Sequence, residues 1–163
     1  CLVGSEMCKE TDLTIIANGL CVAPSLEAAA KLAEEGIEAK VINIHTIKPL
    51  DEELVVAAAK ETGKVVTVEE HSIIGGLGGA VCECLAEKAP VPVKRIGIND
   101  VYGESGPAVA LLEKYGLDAA GIYKQIKALS NWLCLSYMVL SPAGDMSVFT
   151  EDLLEIRKSD MIK

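Results

Sequence analysis

The chain has 163 residues, half of them apolar, and carries 15 Lys and Arg against 24 Asp and Glu, a formal net charge of −9 at pH 7. This length is typical of one domain that can bury a core, which argues against disorder, and the acidic excess argues against nucleic acid as a partner. The longest apolar stretch, residues 132–140, contains Ser136 and falls short of the ~20 residues that a membrane-spanning helix needs, so we expect no membrane association.

The first unit of the chain reads as a strand followed by a helix. The run from Leu13 to Ala17 (LTIIA) is rich in β-branched residues and predicts a buried strand. A helix should follow, with Pro24 in its first turn, Ser25 as its cap and Gly36 as its stop. Its predicted apolar face holds Leu26, Ala29, Ala30 and Ala33.

The same pattern then repeats. Residues 39–44 (AKVINI) predict a second strand, and Pro49 with the cap Asp51 introduces a helix that runs through Lys60 and stops at Gly63. Its predicted apolar face holds Leu54, Val55 and Ala58. A third strand is predicted over residues 64–68 (KVVTV).

The later elements continue the alternation of strands and helices. We expect a helix over about residues 80–89, a fourth strand over 93–98, a helix between Pro107 and Gly116, and a last helix beginning at Asp118. The last helix should place Ile122, Ile126 and Leu129 on one face. This spacing indicates parallel strands joined by helices that cover both faces of the sheet, a three-layer α/β fold. Residues 130–163 do not continue the pattern. They could form a strap over the domain or a segment foreign to the fold, and we favour the second.

The cysteines are irregularly spaced and match neither a zinc site nor a redox pair. They are Cys1, Cys8, Cys21, Cys82, Cys84 and Cys134. We expect reduced thiols that pack as small hydrophobic side chains in a cytoplasmic protein. The chain begins with Cys1 rather than Met, so we expect it to have been part of a longer polypeptide.

The segment from Val68 to Gly79 (VEEHSIIGGLGG) has the strongest functional signal, because it follows a strand where parallel sheets place their ligands. It is not a dinucleotide fingerprint, since Val81 occupies the third small position. Two alternatives stay open: backbone amides at the start of the next helix hold an anion, or the glycines serve turn geometry and an interface. The candidate residues are Glu69, Glu70, His71, Gly75, Gly76, Gly78 and Gly79. If Gly76 and Gly78 have positive φ or lie against another backbone, replacing either with valine should cost a few kcal/mol of stability or prevent assembly.

His71 beside Glu70 suits either general acid-base work or a surface histidine bonded to that carboxylate. The only other histidine is His45, so a three-histidine metal site is excluded. A second polar segment, residues 99–107 (NDVYGESGP), offers Asp100 and Glu104, which could bind a cation or a hydroxyl or could belong to a turn.

Five motifs follow one another along the chain: LTIIANG, AKVINIHTIKPLD, VVTVEEHSIIGGLGGAV, VPVKRIGINDVYGESG and LLEKYGLDAAGIYKQIKAL. In this order, over about residues 4–129, they closely resemble the carboxyl-terminal domain of transketolases. The resemblance implies residues 1–130 as that domain and 131–163 as a divergent tail. It also implies a five-stranded, mostly parallel sheet whose antiparallel first strand comes from residues 2–9.

The resemblance further implies an enzyme that transfers a two-carbon ketol unit between sugar phosphates by means of thiamine diphosphate and Mg²⁺. The family's cofactor signature, Gly-Asp-Gly followed by paired asparagines, is not found, since Gly144-Asp145-Met146 lacks the second glycine. We therefore expect no catalytic, cofactor-binding or metal-binding residue in this chain and no activity of the chain alone. The expected partners are the remaining transketolase domains or an N-terminal subunit, with homodimer contacts, and the two polar segments are expected near them.

Two alternatives to this function remain. One is a domain of a related thiamine diphosphate enzyme, either deoxyxylulose-phosphate synthase or the beta subunit of a 2-oxo acid dehydrogenase. The other is a standalone regulatory or small-molecule-binding module with this fold, suggested by the two polar segments at one edge of the sheet.

Overall fold

A computed structural model describes residues 11–128 of the protein. Its strands are β1 (Leu13–Ala17), β2 (Ala39–Asn43), β3 (Val65–Ser72) and β4 (Val93–Ile98). Its helices are α1 (Val22–Glu34), α2 (Glu52–Thr62), α3 (Leu77–Lys88), α4 (Ala108–Lys114) and α5 (119–128), and a short 3₁₀ turn, Gly19–Cys21, precedes α1. The strand expected at residues 2–9 and the tail at 131–163 lie outside the described residues.

The four described strands form one parallel sheet in the order β2-β1-β3-β4. The chain steps from β1 outward to β2 and then returns past β1 to β3 and β4. Because this reverses the direction of travel across the sheet, α1 covers one face while α2 and α3 cover the other. The carboxyl ends of β1 and β3 therefore form the switch point at which such sheets place ligands.

The core has two parts, one on each face of the sheet. The α1 and α5 side includes Leu13, Ile15, Leu32, Val66, Val68, Ile122 and Ile126. The α2 and α3 side includes Ile16, Ile42, Val55, Val65, Leu77, Val81 and Leu85. The predicted three-layer α/β arrangement is confirmed for the described residues. None of the helices within residues 11–128 is long and apolar enough to cross a membrane.

Local signals placed several helix ends correctly. The Asp51 carboxylate accepts a hydrogen bond from the Leu54 N–H at 3.1 Å and caps α2, as predicted. Gly63 ends α2 in the left-handed region with φ +65°, where its N–H donates to the Ala59 carbonyl. Asp118 in the same way accepts from the Gly121 N–H at 3.1 Å before α5.

The start of α1 differs from the prediction. The helix begins at Val22, directly after the 3₁₀ turn, and Ser25 is not its cap: the Ser25 hydroxyl lies inside the first turn and donates to the Cys21 carbonyl at 2.7 Å. The buried face consists of Ser25, Ala28 and Leu32. Leu26, expected on that face, is 54% exposed, because it lies about 100° around the helix from Ser25, which is on the face that packs on the sheet.

Candidate functional site

The end of β3 forms the centre of the candidate site. The prediction ended this strand at Val68, but it continues through the polar residues to Ser72, which pairs with Ile98 of β4. Val68 pairs with Ile96, so three β3 residues stand opposite the single residue Gly97, a bulge in the ladder. The pairing with β4 explains why a polar segment is a strand at all. Bulges of this kind reorient side chains at sheet edges.

Glu69 turns inward from this bulge and is fully buried. Its Oε2 accepts from the Leu77 N–H at 2.8 Å and its Oε1 accepts from the Gly78 N–H at 2.9 Å. These amides form the first turn of α3, whose positive dipole end favours an anion. No ion pair involves Glu69 within residues 11–128. The anion that the α3 amides hold is therefore a side chain of the protein itself.

This capping explains why α3 begins at Leu77 rather than near residue 80 as predicted. Two glycines in the first turn disfavour a helix, but Glu69 satisfies the amides that a helix start leaves open. Because this carboxylate comes from β3 rather than from the residues next to the helix, no local capping pattern in the sequence indicates it.

The four glycines of the segment serve different purposes. Gly75 has φ +76°, and a Cβ on Gly76 would overlap the Glu69 carboxylate. A Cβ on Gly78 would lie 2.8 Å from Thr67 Oγ1 and 2.9 Å from the Arg95 side chain. Neither Gly76 nor Gly78 has a positive φ, and the atoms nearest to an added Cβ belong to side chains of β3 and β4.

Gly79 is the exception among the four, since a Cβ there would meet no heavy atom within 4 Å. Neither packing nor a positive φ requires glycine at this position. Gly79 therefore offers a natural comparison for substitutions at its neighbours.

Arg95 and Thr67 complete the packing around the start of α3. The Arg95 guanidinium donates to the Ile73 carbonyl at 2.8 Å and ties β4 to the segment after β3. Thr67 is fully buried, and its hydroxyl has no hydrogen-bond partner within the described part of the chain. Sequence reasoning missed both residues, because an alternating strand pattern does not reveal which loop a strand residue supports.

Glu70 is half-buried and influences the thiol of Cys21 at the start of α1. Burial first, then the charge of Glu70 and that of Glu69, raise the pKa of Cys21 from 9.0 to about 11. The thiol is therefore protonated at neutral pH and is not a nucleophile. His71 is exposed.

The second polar segment lies after β4, the neighbour of β3 in the sheet. Asp100 and Glu104 are both exposed, and Glu104 forms an ion pair with Lys114 of α4 at 2.6 Å. Within residues 11–128, no group of three or more His, Cys, Asp or Glu side chains is arranged to hold a metal ion. Because β3 and β4 are neighbours, the two predicted segments lie at the same carboxyl end of the sheet. Two of their carboxylates already have partners within the chain: Glu69 accepts from amides of α3, and Glu104 pairs with Lys114.

The family model of the transketolase C-terminal domain matches residues 4–122. The chain belongs to the transketolase C-terminal domain family. The resemblance inferred from the five motifs is thereby confirmed.

Relatives of this chain include transketolase subunits and deoxyxylulose-phosphate synthases. The chain is 52% identical over 113 residues to the 6-deoxy-6-sulfo-D-fructose transketolase subunit SqwH of Clostridium sp. (strain MSTE9), covering 69% of this chain and 35% of the relative. It is 48% identical over 121 residues to 1-deoxy-D-xylulose-5-phosphate synthase 1 of Geobacter sulfurreducens, covering 73% of this chain and 19% of the relative. The transketolase C-terminal domain thus spans about a third or less of these relatives.

A solved structure, described as a split gene transketolase in an inactive β4 tetramer, has a TM-score of 0.69 to this chain and 52% sequence identity. The match covers 74% of this chain and 39% of the solved one. The fold of this chain therefore agrees with the solved structure of a homologue of high sequence identity.

Proposed function

We propose that this chain is the C-terminal domain of a thiamine diphosphate-dependent transketolase, which transfers a two-carbon ketol unit between sugar phosphates. The observation that carries the proposal is the 52% identity to a transketolase subunit over most of the domain. In this proposal the domain organises the association of the enzyme's domains or subunits, and the chain alone is inactive. The free thiols of Cys21, Cys82 and Cys84 suit a reducing compartment such as the cytoplasm.

The start of α3 does not fit a diphosphate group. The Leu77 and Gly78 amides, which could hold a phosphate, are occupied by Glu69. This occupancy supports a thiamine diphosphate site elsewhere in the enzyme, and we derive no catalytic step on this chain.

The proposed partner is the cofactor-binding part of the enzyme, either on the same polypeptide or in an N-terminal subunit, and we also propose contacts between copies of this domain. The interface is proposed at the sheet edge that carries Glu70, His71, Asp100 and the segment of Gly75–Gly79. The word subunit in the Clostridium relative's name supports a partner chain, and the tetramer of the split gene relative supports contacts between copies.

The test combines this chain with the companion subunit of the Clostridium sp. (strain MSTE9) enzyme. With thiamine diphosphate and Mg²⁺, the mixture should transfer a ketol unit between sugar phosphates, and neither chain alone should do so. In calorimetry, the isolated chain should give no specific heat with the cofactor and Mg²⁺. Saturable micromolar binding by the isolated chain, or turnover without the companion, would contradict the proposal.

A second candidate function is deoxyxylulose-phosphate synthesis, which the 48% identity to the Geobacter sulfurreducens enzyme favours. Assaying the reconstituted mixture for 1-deoxy-D-xylulose 5-phosphate separates the two. Formation of this product without ketol transfer would replace the first proposal with the second.

A further inference from the structure

Residues 99–110, which join β4 to α4 and begin that helix, are all exposed. No residue of α4 is buried. Of residues 99–115, which we call the α4 segment, two pack against the core of the described chain: Leu112 and Tyr115, both partly exposed. Because so little apolar surface of the segment is buried, little free energy holds it to the rest of the domain.

Helix α4 has little stability of its own. It has seven residues, and an isolated helix of that length is unstable in water. Pro107 precedes it, and no side chain caps its first amides. Lys114 pairs with Glu104 at 2.6 Å, but since both side chains are half-exposed, this ion pair stabilises the segment only weakly. The helix therefore depends on the contacts that Leu112 and Tyr115 make with the core.

The contact of Tyr115 with the core also has an unfavourable component. Its side chain packs against the core on the α1 side, but its hydroxyl is buried and has no hydrogen-bond partner within residues 11–128. A buried hydroxyl without a partner loses its hydrogen bonds to water and gains none in return. Local unfolding of the α4 segment would return this hydroxyl to water. The residue that anchors the segment therefore also favours its release.

The residues on either side of the α4 segment are held by the rest of the domain. The Ile98 carbonyl accepts from the Ile73 N–H at 3.0 Å, and the Gly116 carbonyl accepts from the Gln125 side-chain amide at 2.9 Å. Leu117 is buried in the core. Both ends of the segment can therefore stay in place while the chain between them unfolds.

We propose that the α4 segment is a conformational switch, a unit that unfolds locally while the sheet stays folded, and that the buried Tyr115 hydroxyl promotes this opening. In the closed form, the carboxyl end of the sheet presents a short helix. In the open form, the apolar residues 108–112 become an accessible, unfolded chain between fixed ends. The inference concerns the domain itself and does not depend on the proposed function.

Hydrogen exchange of the full chain, followed by NMR at single amides, measures this opening. The reporter amides are those of Leu111 and Tyr115, which donate to the Pro107 and Leu111 carbonyls. Amides in β1 and β3 report unfolding of the whole domain. The reporters should exchange at least about 100-fold faster than the strand amides and agree with each other within about threefold. Their exchange should hardly rise in dilute urea, because local opening exposes little surface.

Three variants test the contacts that set the opening. Tyr115→Phe removes the unpartnered hydroxyl and keeps the ring, so the reporters should exchange at least about fivefold more slowly. Glu104→Gln removes the ion pair with Lys114 and should speed their exchange about two- to fivefold. The matched control, Glu61→Gln, removes a half-exposed ion pair with Lys40 outside the segment, and the reporters should exchange as in the wild type.

The alternatives give different results. Reporters that exchange as slowly as the strand amides, or that respond as steeply to urea, would show that the segment unfolds only with the whole domain, and the proposal would be wrong. A gradient of rates from Leu111 to Tyr115 would indicate fraying of a helix end instead of one unit and would also overturn it. Unchanged or faster exchange in Tyr115→Phe would refute the role of the hydroxyl. A thermal melt shows whether each variant is folded, and the wild-type rates test the opening without any variant.

Discussion

Substituting Gly76 by alanine tests the contact between β3 and the start of α3. The new Cβ would overlap Oε2 of Glu69, so the carboxylate must withdraw from the Leu77 amide. A hydrogen bond to a charged group contributes about 1.5–3 kcal/mol, and its loss leaves a buried carboxylate with one donor fewer. We expect the free energy of unfolding to fall by about 2–4 kcal/mol, a large share of a domain's total stability.

A double-mutant cycle shows whether Glu69 causes this loss. Glu69→Ala alone should cost about 3 kcal/mol, because it leaves the Leu77 and Gly78 amides buried without their acceptor. In that background Gly76→Ala should cost less than about 1 kcal/mol, since the overlapping oxygen is gone and Gly76 has the extended φ of −100° that alanine adopts easily. The coupling energy should therefore be about 2 kcal/mol.

Urea unfolding of the full chain, followed by circular dichroism, measures all four members of the cycle. Gly79→Ala is the control: it removes a glycine from the same helix where an added Cβ is unopposed, so it should stabilise the protein by about 0.5–1 kcal/mol. Additive effects of Gly76→Ala and Glu69→Ala, or equal effects of Gly76→Ala and Gly79→Ala, would refute the reasoning.

Further predictions concern three other residues of the described chain: Cys21, Asp51 and Gly97. With its pKa near 11 rather than 9.0, Cys21 should hold about 100-fold less thiolate at pH 8 than an ordinary thiol, so mass spectrometry should find slow iodoacetamide labelling of its peptide; labelling as fast as in the unfolded chain would contradict this. Because the folded state keeps this proton where the unfolded state loses it, the contribution of Cys21 to stability should be intact below pH 9 and decline as the pH rises toward 11. Asp51→Ala should lower the free energy of unfolding by about 1 kcal/mol and Asp51→Ser by less; equal losses would show that the cap is unimportant. Gly97→Ala should cost about 2–3 kcal/mol in urea unfolding, since its Cβ would lie 2.9 Å from the His71 carbonyl oxygen, and an unchanged midpoint would place the bulge in doubt.

Local chemistry made much of the fold predictable. Each of the four strands overlaps a predicted strand, although β3 extends through polar residues beyond its predicted end. Asp51 and Gly63 lie at the ends of α2, where a capping side chain and a left-handed backbone are needed. Such signals act over three or four residues, so a single sequence displays them. The right fold class followed from their alternation.

The candidate site was less predictable because its contacts are not local. The sequence predicts a polar, glycine-rich segment at the end of β3, but not that Glu69 reaches back to amides eight and nine residues later. That contact depends on a bulge which exists only when β4 pairs with β3. The exposure of Leu26 was unpredictable for a similar reason. Leu26 has the hydropathy of a core residue, and only the packing of Ser25, Ala28 and Leu32 on the sheet shows that it lies off the buried face.

The buried carboxylate of Glu69 has a consequence for compounds aimed at this domain. Many parallel-sheet proteins leave the amides of a helix at the switch point open to a phosphate, and phosphate mimics exploit that opening. In this chain such a compound would meet a resident negative charge and would have to expel it before gaining the same hydrogen bonds.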